Sequence, residues 1–210
     1  MRAARWLIAV AIAMAICWRF PLFHAVPLKT AVAEKTAATF DPAEFAEAFW
    51  TNQLLLSLTK AVKAGTLLPA IQADAATAKT NYSHSVGMDE SYFYFLSGTG
   101  RVMTVSDDEV SLAMSDSSTN TEISLQTGLV FGNALRDGTG LLNVNDYPNS
   151  QDFNGISEAL NHIVETRVLP RLHAEAKIGA KIFFVGCAEI NDESADLKPL
   201  KVIPIQAELQ

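Results

Sequence analysis

The sequence predicts an α+β domain built on a small five-stranded Greek-key β-barrel, and three observations lead to it. A two-residue period runs through three successive stretches between Ser91 and Phe131, a helical period follows from Asp152, and two more strand-like stretches close the chain. Three strands, a helix and two strands, with glycines interrupting a long first strand, is the element order of the oligonucleotide/oligosaccharide-binding (OB) barrel. Helices are expected over residues 40–80 and the barrel over 90–210, together forming one domain from residue 40 onward.

The first twenty residues place Arg2 and Arg5 ahead of an apolar run from Trp6 to Trp18, the layout of an export signal. Residues 1–28 are read as a signal or membrane anchor that stays in the inner membrane and carries the domain into the periplasm. Ala31-Val32-Ala33 offers a cleavage pattern, but far beyond the apolar run. Cys17 offers a lipidation point, but with Ile16 rather than a small residue before it. Residues 29–39, rich in Ala, Thr and Lys, read as a linker.

The helices come next. FDPAEF supplies an N-cap in Asp41, a proline at the first helical position and Glu44 three residues past the cap. Helix one is expected over 42–64, with Gly65 as its left-handed terminator, and a weaker Ala-rich helix from Leu67 to near Lys79. The long strand SYFYFLSGTGRVMTVSDD should bend at Gly98 and Gly100 through a bulge. EVSLAMSD and TEISLQTGLVF complete a meander, separated by the turn-rich DSSTN. Phe153, Ile156, Leu160, Ile163 and Val164 mark a helix over roughly 152–177, bent or ended near Pro170. In the last strand, Pro204 requires an edge or a bulge.

Charge narrows the function. The chain carries 16 basic and 23 acidic residues, a net charge of −7. The four basic residues of positions 1–33 have no acidic counterpart there, so the remainder holds 12 basic against 23 acidic residues, a balance of −11. An acidic domain without a basic run has little with which to displace counterions from phosphates, and EVSLAMSD and TEISLQTGLV carry no aromatic for base stacking. No nucleic-acid partner is expected.

No G-x-S-x-G, P-loop or dinucleotide fingerprint occurs. His162 and His173 would lie about 16 Å apart along a helix, too far to share an ion. DSSTNTE imitates the start of a calcium loop but has Thr121 and Thr127 where glycine and an acidic residue are needed. No metal or cofactor is therefore expected. Cys187, in an apolar strand, reads as a small buried hydrophobe.

The stretch LRDGTGLLNVNDYPNSQDF collects the candidate site residues Arg136, Asp137, Asn145, Asp146, Tyr147, Asn149 and Asp152. If the chain is extended at Arg136 and Asp137, these neighbours point apart and need other partners. In one reading Arg136 grips Asp146 or Asp152 and pins a long connection, with Asp152 also available as a helix cap. In the other, the same residues line a polar pocket for a small polar ligand, with Tyr147 stacking on a sugar ring. A glycan hydrolase using Asp146 and Asp152 is a further alternative, and a purely structural envelope protein another.

GNALRD at 132–137, NDYPNSQDF, EALN at 158–161 and the flank FPLFHAVPL together resemble the domain of unknown function 2291 family of predicted periplasmic lipoproteins, with the likeness covering residues 40–208. Asn133, Ser150 and Gln151 depart from the family pattern. The resemblance implies a lipidated cysteine and, because members are often encoded beside sugar-uptake transporters, an accessory role there; with the export segment, the acidic domain and the absence of catalytic motifs, a noncatalytic domain that binds a transporter, a solute-binding protein or a small polar ligand is expected. It implies no catalytic residue.

Overall fold

The computed structural model describes residues 40–86, 91–147 and 149–210. The anchor and linker expected over 1–39 lie outside the described residues. Among those that are described, no helix is long and apolar enough to cross a membrane.

Helix α1, Pro42–Phe49, starts where the sequence places it, with the Asp41 carboxylate accepting from the amides of Ala43 (2.9 Å) and Glu44 (3.2 Å). It continues as a π-wound turn, Trp50–Leu54, and a 3-10 turn, Leu55–Lys60. The expected helix over 42–64 is therefore shorter at its end and changes winding. Ala61 turns extended, and β1 (Val62–Lys63) pairs parallel with Leu96 and Ser97. Gly65 terminates nothing, because it belongs to the next helix, α2, Ala64–Ala73. Asp74 ends α2 and caps α3 (Ala75–Tyr82) through the amides of Ala76 and Thr77, so one expected helix is two. The short β2 (Ser83–His84) then pairs with the following strand.

Strands β3 (Tyr92–Val105), β4 (Glu109–Ala113) and β5 (Ile123–Gln126) form the meander. After them come α4 (Ala134–Asp137), a 3-10 turn (Val144–Asp146) and α5 (Ser150–Ile163). A π-wound turn (Val164–Val168) leads into α6 (Leu169–Glu175), where Pro170 occupies the first turn. The hairpin of β6 (Lys181–Ile190) and β7 (Leu200–Leu209) completes the chain.

The pairings run β3–β4–β5–β7–β6 and return to β3, so these five strands close on themselves within a seven-stranded sheet. Closure leaves little unpaired edge. Tyr94, Leu96, Val110, Leu112, Leu125, Phe184 and Val202 fill the interior, and Leu67, Ile71 and Leu172 reach it from α2 and α6.

The glycines of β3 act by close approach. The β3–β6 register is continuous from Tyr92 to Arg101, and the irregularity in β3 falls between Val102 and Thr104, past the glycines where the sequence suggested a bulge. A Cβ on Gly98 would stand 3.1 Å from the Phe184 ring, and one on Gly100 would stand 2.8 Å from the Leu112 Cβ. Pro204 does sit at a bulge: the register of β7 with β6 shifts between Val185 and Gly186, opposite the proline, beyond Val202 where the pairing of β7 with β5 ends. At Gly186 a Cβ would collide with the Ile203 carbonyl oxygen. Gly186→Ala should cost about 1–3 kcal/mol through this backbone collision. Urea unfolding checks it, and an unchanged midpoint would contradict the packing described.

Candidate functional site

The candidate stretch begins with one helical turn. Gly132 leads into it at φ +87°, a left-handed conformation that glycine adopts without strain, and Gly138 follows it where a side chain would meet Cys187 Sγ at 2.7 Å. Because Ala134–Asp137 is helical and not extended, successive side chains diverge by about 100° instead of pointing to opposite sides. A long arginine can then fold back onto its neighbour. Arg136 Nε donates to Asp137 Oδ1 at 2.7 Å and Nη2 donates to Oδ2 at 2.8 Å, a fork-to-fork pair. The expectation that these two residues do not pair is thus corrected.

The same guanidinium uses Nη1 to reach the Phe153 carbonyl and Asn154 Oδ1, both at 3.2 Å, and its carbon lies 3.7 Å from the Phe153 ring centroid. Arg136 is 4% exposed and Asp137 2%. Arg136 therefore does pin a long connection, but through the start of α5 and not through Asp146 or Asp152. Beneath the turn, Cys187 is fully buried as expected, and burial together with the Asp137 charge pushes its thiol pKa well above the ordinary range. It is not a nucleophile at neutral pH.

The other predicted residues serve local structure. Asn143 Oδ1 accepts from the Asn145 amide (2.9 Å) and side chain (3.0 Å), closing the 3-10 turn that includes Asp146. Asn149, not Asp152, caps α5: its Oδ1 accepts from Asp152 N and its Nδ2 donates to Asp152 Oδ2, each at 2.8 Å. Tyr147 packs edge-on to Phe45 at 5.8 Å and against Phe153 at 5.1 Å, so both rings beside it are protein rings. Burial and the Asp146 charge raise its phenol pKa. An aromatic chain thus links the Arg136 cluster to α1.

Among the described residues, the clefts do not bring the seven together; Asp137 and Asn145 share a space of about 300 Å³ also lined by His84, Gly140 and Asn143. Burial lowers the His84 pKa there, favouring the neutral imidazole.

A larger cleft, about 560 Å³, lies between the Val130–Asn133 segment and α5. Asn133 Oδ1 accepts from Ser157 Oγ at 3.0 Å, and Asn161 Nδ2 donates to the Gly132 carbonyl at 3.1 Å. Asn161 is 6% exposed, and its Oδ1, itself buried, has no hydrogen-bond partner among the described residues. Glu165 Oε1 accepts from the Val130 amide at 2.8 Å, and Glu158 lines the wall. Sequence reasoning missed this cleft. A signal was there: Asn154, Ser157, Glu158, Asn161 and Glu165 recur at three- and four-residue steps, a polar stripe beside the apolar face of α5. It joins GNALRD to EALN in space.

The closed five-strand sheet with its intervening helix defines the class to which the domain belongs. The chain is similar to a crystal structure of an OB-fold protein from Thermotoga maritima, at 22% identity and a TM-score of 0.74 over 82% of this chain and 100% of that one, a likeness that shows the fold. Residues 7–208 match the family model described as predicted periplasmic lipoprotein (DUF2291), and the chain belongs to that family. A search of curated proteins gives no match.

Removing one partner from a buried ion pair strands a charge, which costs about 3–5 kcal/mol, whereas replacing both by apolar groups can be nearly neutral. Arg136→Met should therefore destabilise the domain by about that amount, and the double variant Arg136→Met with Asp137→Leu should recover much of it. Chemical denaturation of the three proteins tests this. A single variant within about 1 kcal/mol of the parent would show the pair to be unimportant to the fold.

Proposed function

We propose that this protein is a noncatalytic domain, held at the outer face of the inner membrane by residues 1–28, that serves a solute-uptake system by binding a partner protein. The domain itself is read as a five-stranded Greek-key barrel of the OB type. One observation carries the reading: Arg136, Asp137, Asn149 and Asp152 are spent on the fold, while large apolar side chains are left outside. Arg136 and Asp137 are buried in each other, and the Asp152 carboxylate is held by the cap of α5. Leu129 and Phe131, by contrast, are 75% and 74% exposed on one short connection after β5. Exposed apolar side chains grouped beside clefts are a mark of protein interaction surfaces. The family description supports the compartment.

A pull-down of the full chain from crosslinked cell envelopes should recover a transporter or solute-binding subunit. Recovery of neither would contradict the role. The tether is proposed to be the retained apolar segment, because Ile16 before Cys17 suits lipidation poorly. Intact-mass measurement of the membrane-extracted protein should give the uncut, unacylated chain, and an acylated N-terminal Cys17 would overturn that part.

A further inference from the structure

We infer that the surface around Phe131 docks a basic segment of the partner protein, with an arginine or lysine entering the cleft beside α5. The inference rests on the partner-binding reading above and adds where the contact lies and what chemistry it takes.

Phe131 lines three adjoining clefts, of about 560, 370 and 170 Å³. Six carboxylates line the same three: Glu158 and Glu165 in the first, Asp108 and Glu109 in the second, Glu189 and Asp196 in the third. Among the described residues none of the six is paired with a lysine or arginine, and Lys201 is the one such cation in the linings. The two exposed side chains of Leu129 and Phe131 rise among these acids. An apolar centre inside a charged rim of one sign is the complement of a segment that pairs apolar anchors with cations.

The cleft beside α5 shows where a cation would be held. Glu158 is exposed on its wall, and Phe131 lines it as well. A guanidinium brings five donors and no acceptor, so it can answer the carboxylate and the ring face together. A phosphate or carboxylate ligand would meet repulsion from every charged wall except Lys201.

The same charges discriminate among occupants. An anionic lipid surface is repelled by the rim. A second copy of this chain brings an identical acidic rim, and positions 34–210 carry 12 basic against 23 acidic residues. A basic segment of another protein is the occupant left favoured.

The test places a photocrosslinking residue at Phe131 of the full-length protein in cells, with Ile178, equally exposed at 74%, as the control position. The crosslinked peptide is then sequenced. The inference expects a protein segment carrying an excess of lysine and arginine. Its yield should fall about tenfold when Glu158→Gln, Glu189→Gln and Asp108→Asn are combined, and also in high salt. An acidic or neutral peptide, a lipid adduct, a second copy of the chain, no product above the Ile178 control, or a yield indifferent to neutralisation would each overturn it. If the envelope pull-down still recovers a transport subunit while Phe131 gives no product, the docking face is wrong and the partner-binding reading stands.

Discussion

The buried fork between Arg136 and Asp137 organises the half of the domain that the sheet does not. Between β5 and α5 the chain runs through more than twenty residues containing only one turn of α-helix and one of 3-10 helix. A connection of that length must satisfy its polar groups somewhere. One guanidinium does much of this by neutralising Asp137, accepting no further charge, and donating to the backbone of Phe153 and the side chain of Asn154. Its flat face also lies on the Phe153 ring, which begins a run of aromatic contacts through Tyr147 and Phe45 to Phe49. The loop, α5 and α1 are in this way held as one layer against β6, where Gly138 makes room for Cys187.

How much of this was legible in the sequence follows from the range of each interaction. The alternating strands, the Asp41 cap and the bulge at Pro204 were readable because local chemistry fixes them. The end of the first helix was not. Gly65 looked like a terminator, whereas the chain had already turned extended at Ala61 to pair with β3, a contact between residues more than thirty positions apart. Arg136 and Asp137 stand among the seven candidates in the sequence, but their pairing depends on whether the chain there is extended or helical, and four residues are too few for periodicity to decide. The cleft beside α5 was hidden for a similar reason. Its polar stripe is present in α5, but what it faces is set by how the Val130–Asn133 segment crosses the helix.

The division of polar residues between burial and exposure is what shapes the functional account. Arg136 and Asp137 are inside and Asn149 and Asp152 form a cap, while Asp146 stays exposed, and the surface around Leu129 and Phe131 is lined by carboxylates. In the proposed partner-binding role, such a surface would take its specificity from charge sign and from two side chains. The closed sheet and the elements pinned against it carry the connection that bears Leu129 and Phe131.

Native-state hydrogen exchange on the parent and Arg136→Met tests the central claim most directly. If the fork holds the loop and α5 onto the sheet, the amides of residues 138–163 should lose protection in the variant well before those of the β3–β6 ladder, opening as a separate unit. Protection lost equally along the whole chain, or retained over 138–163, would contradict it.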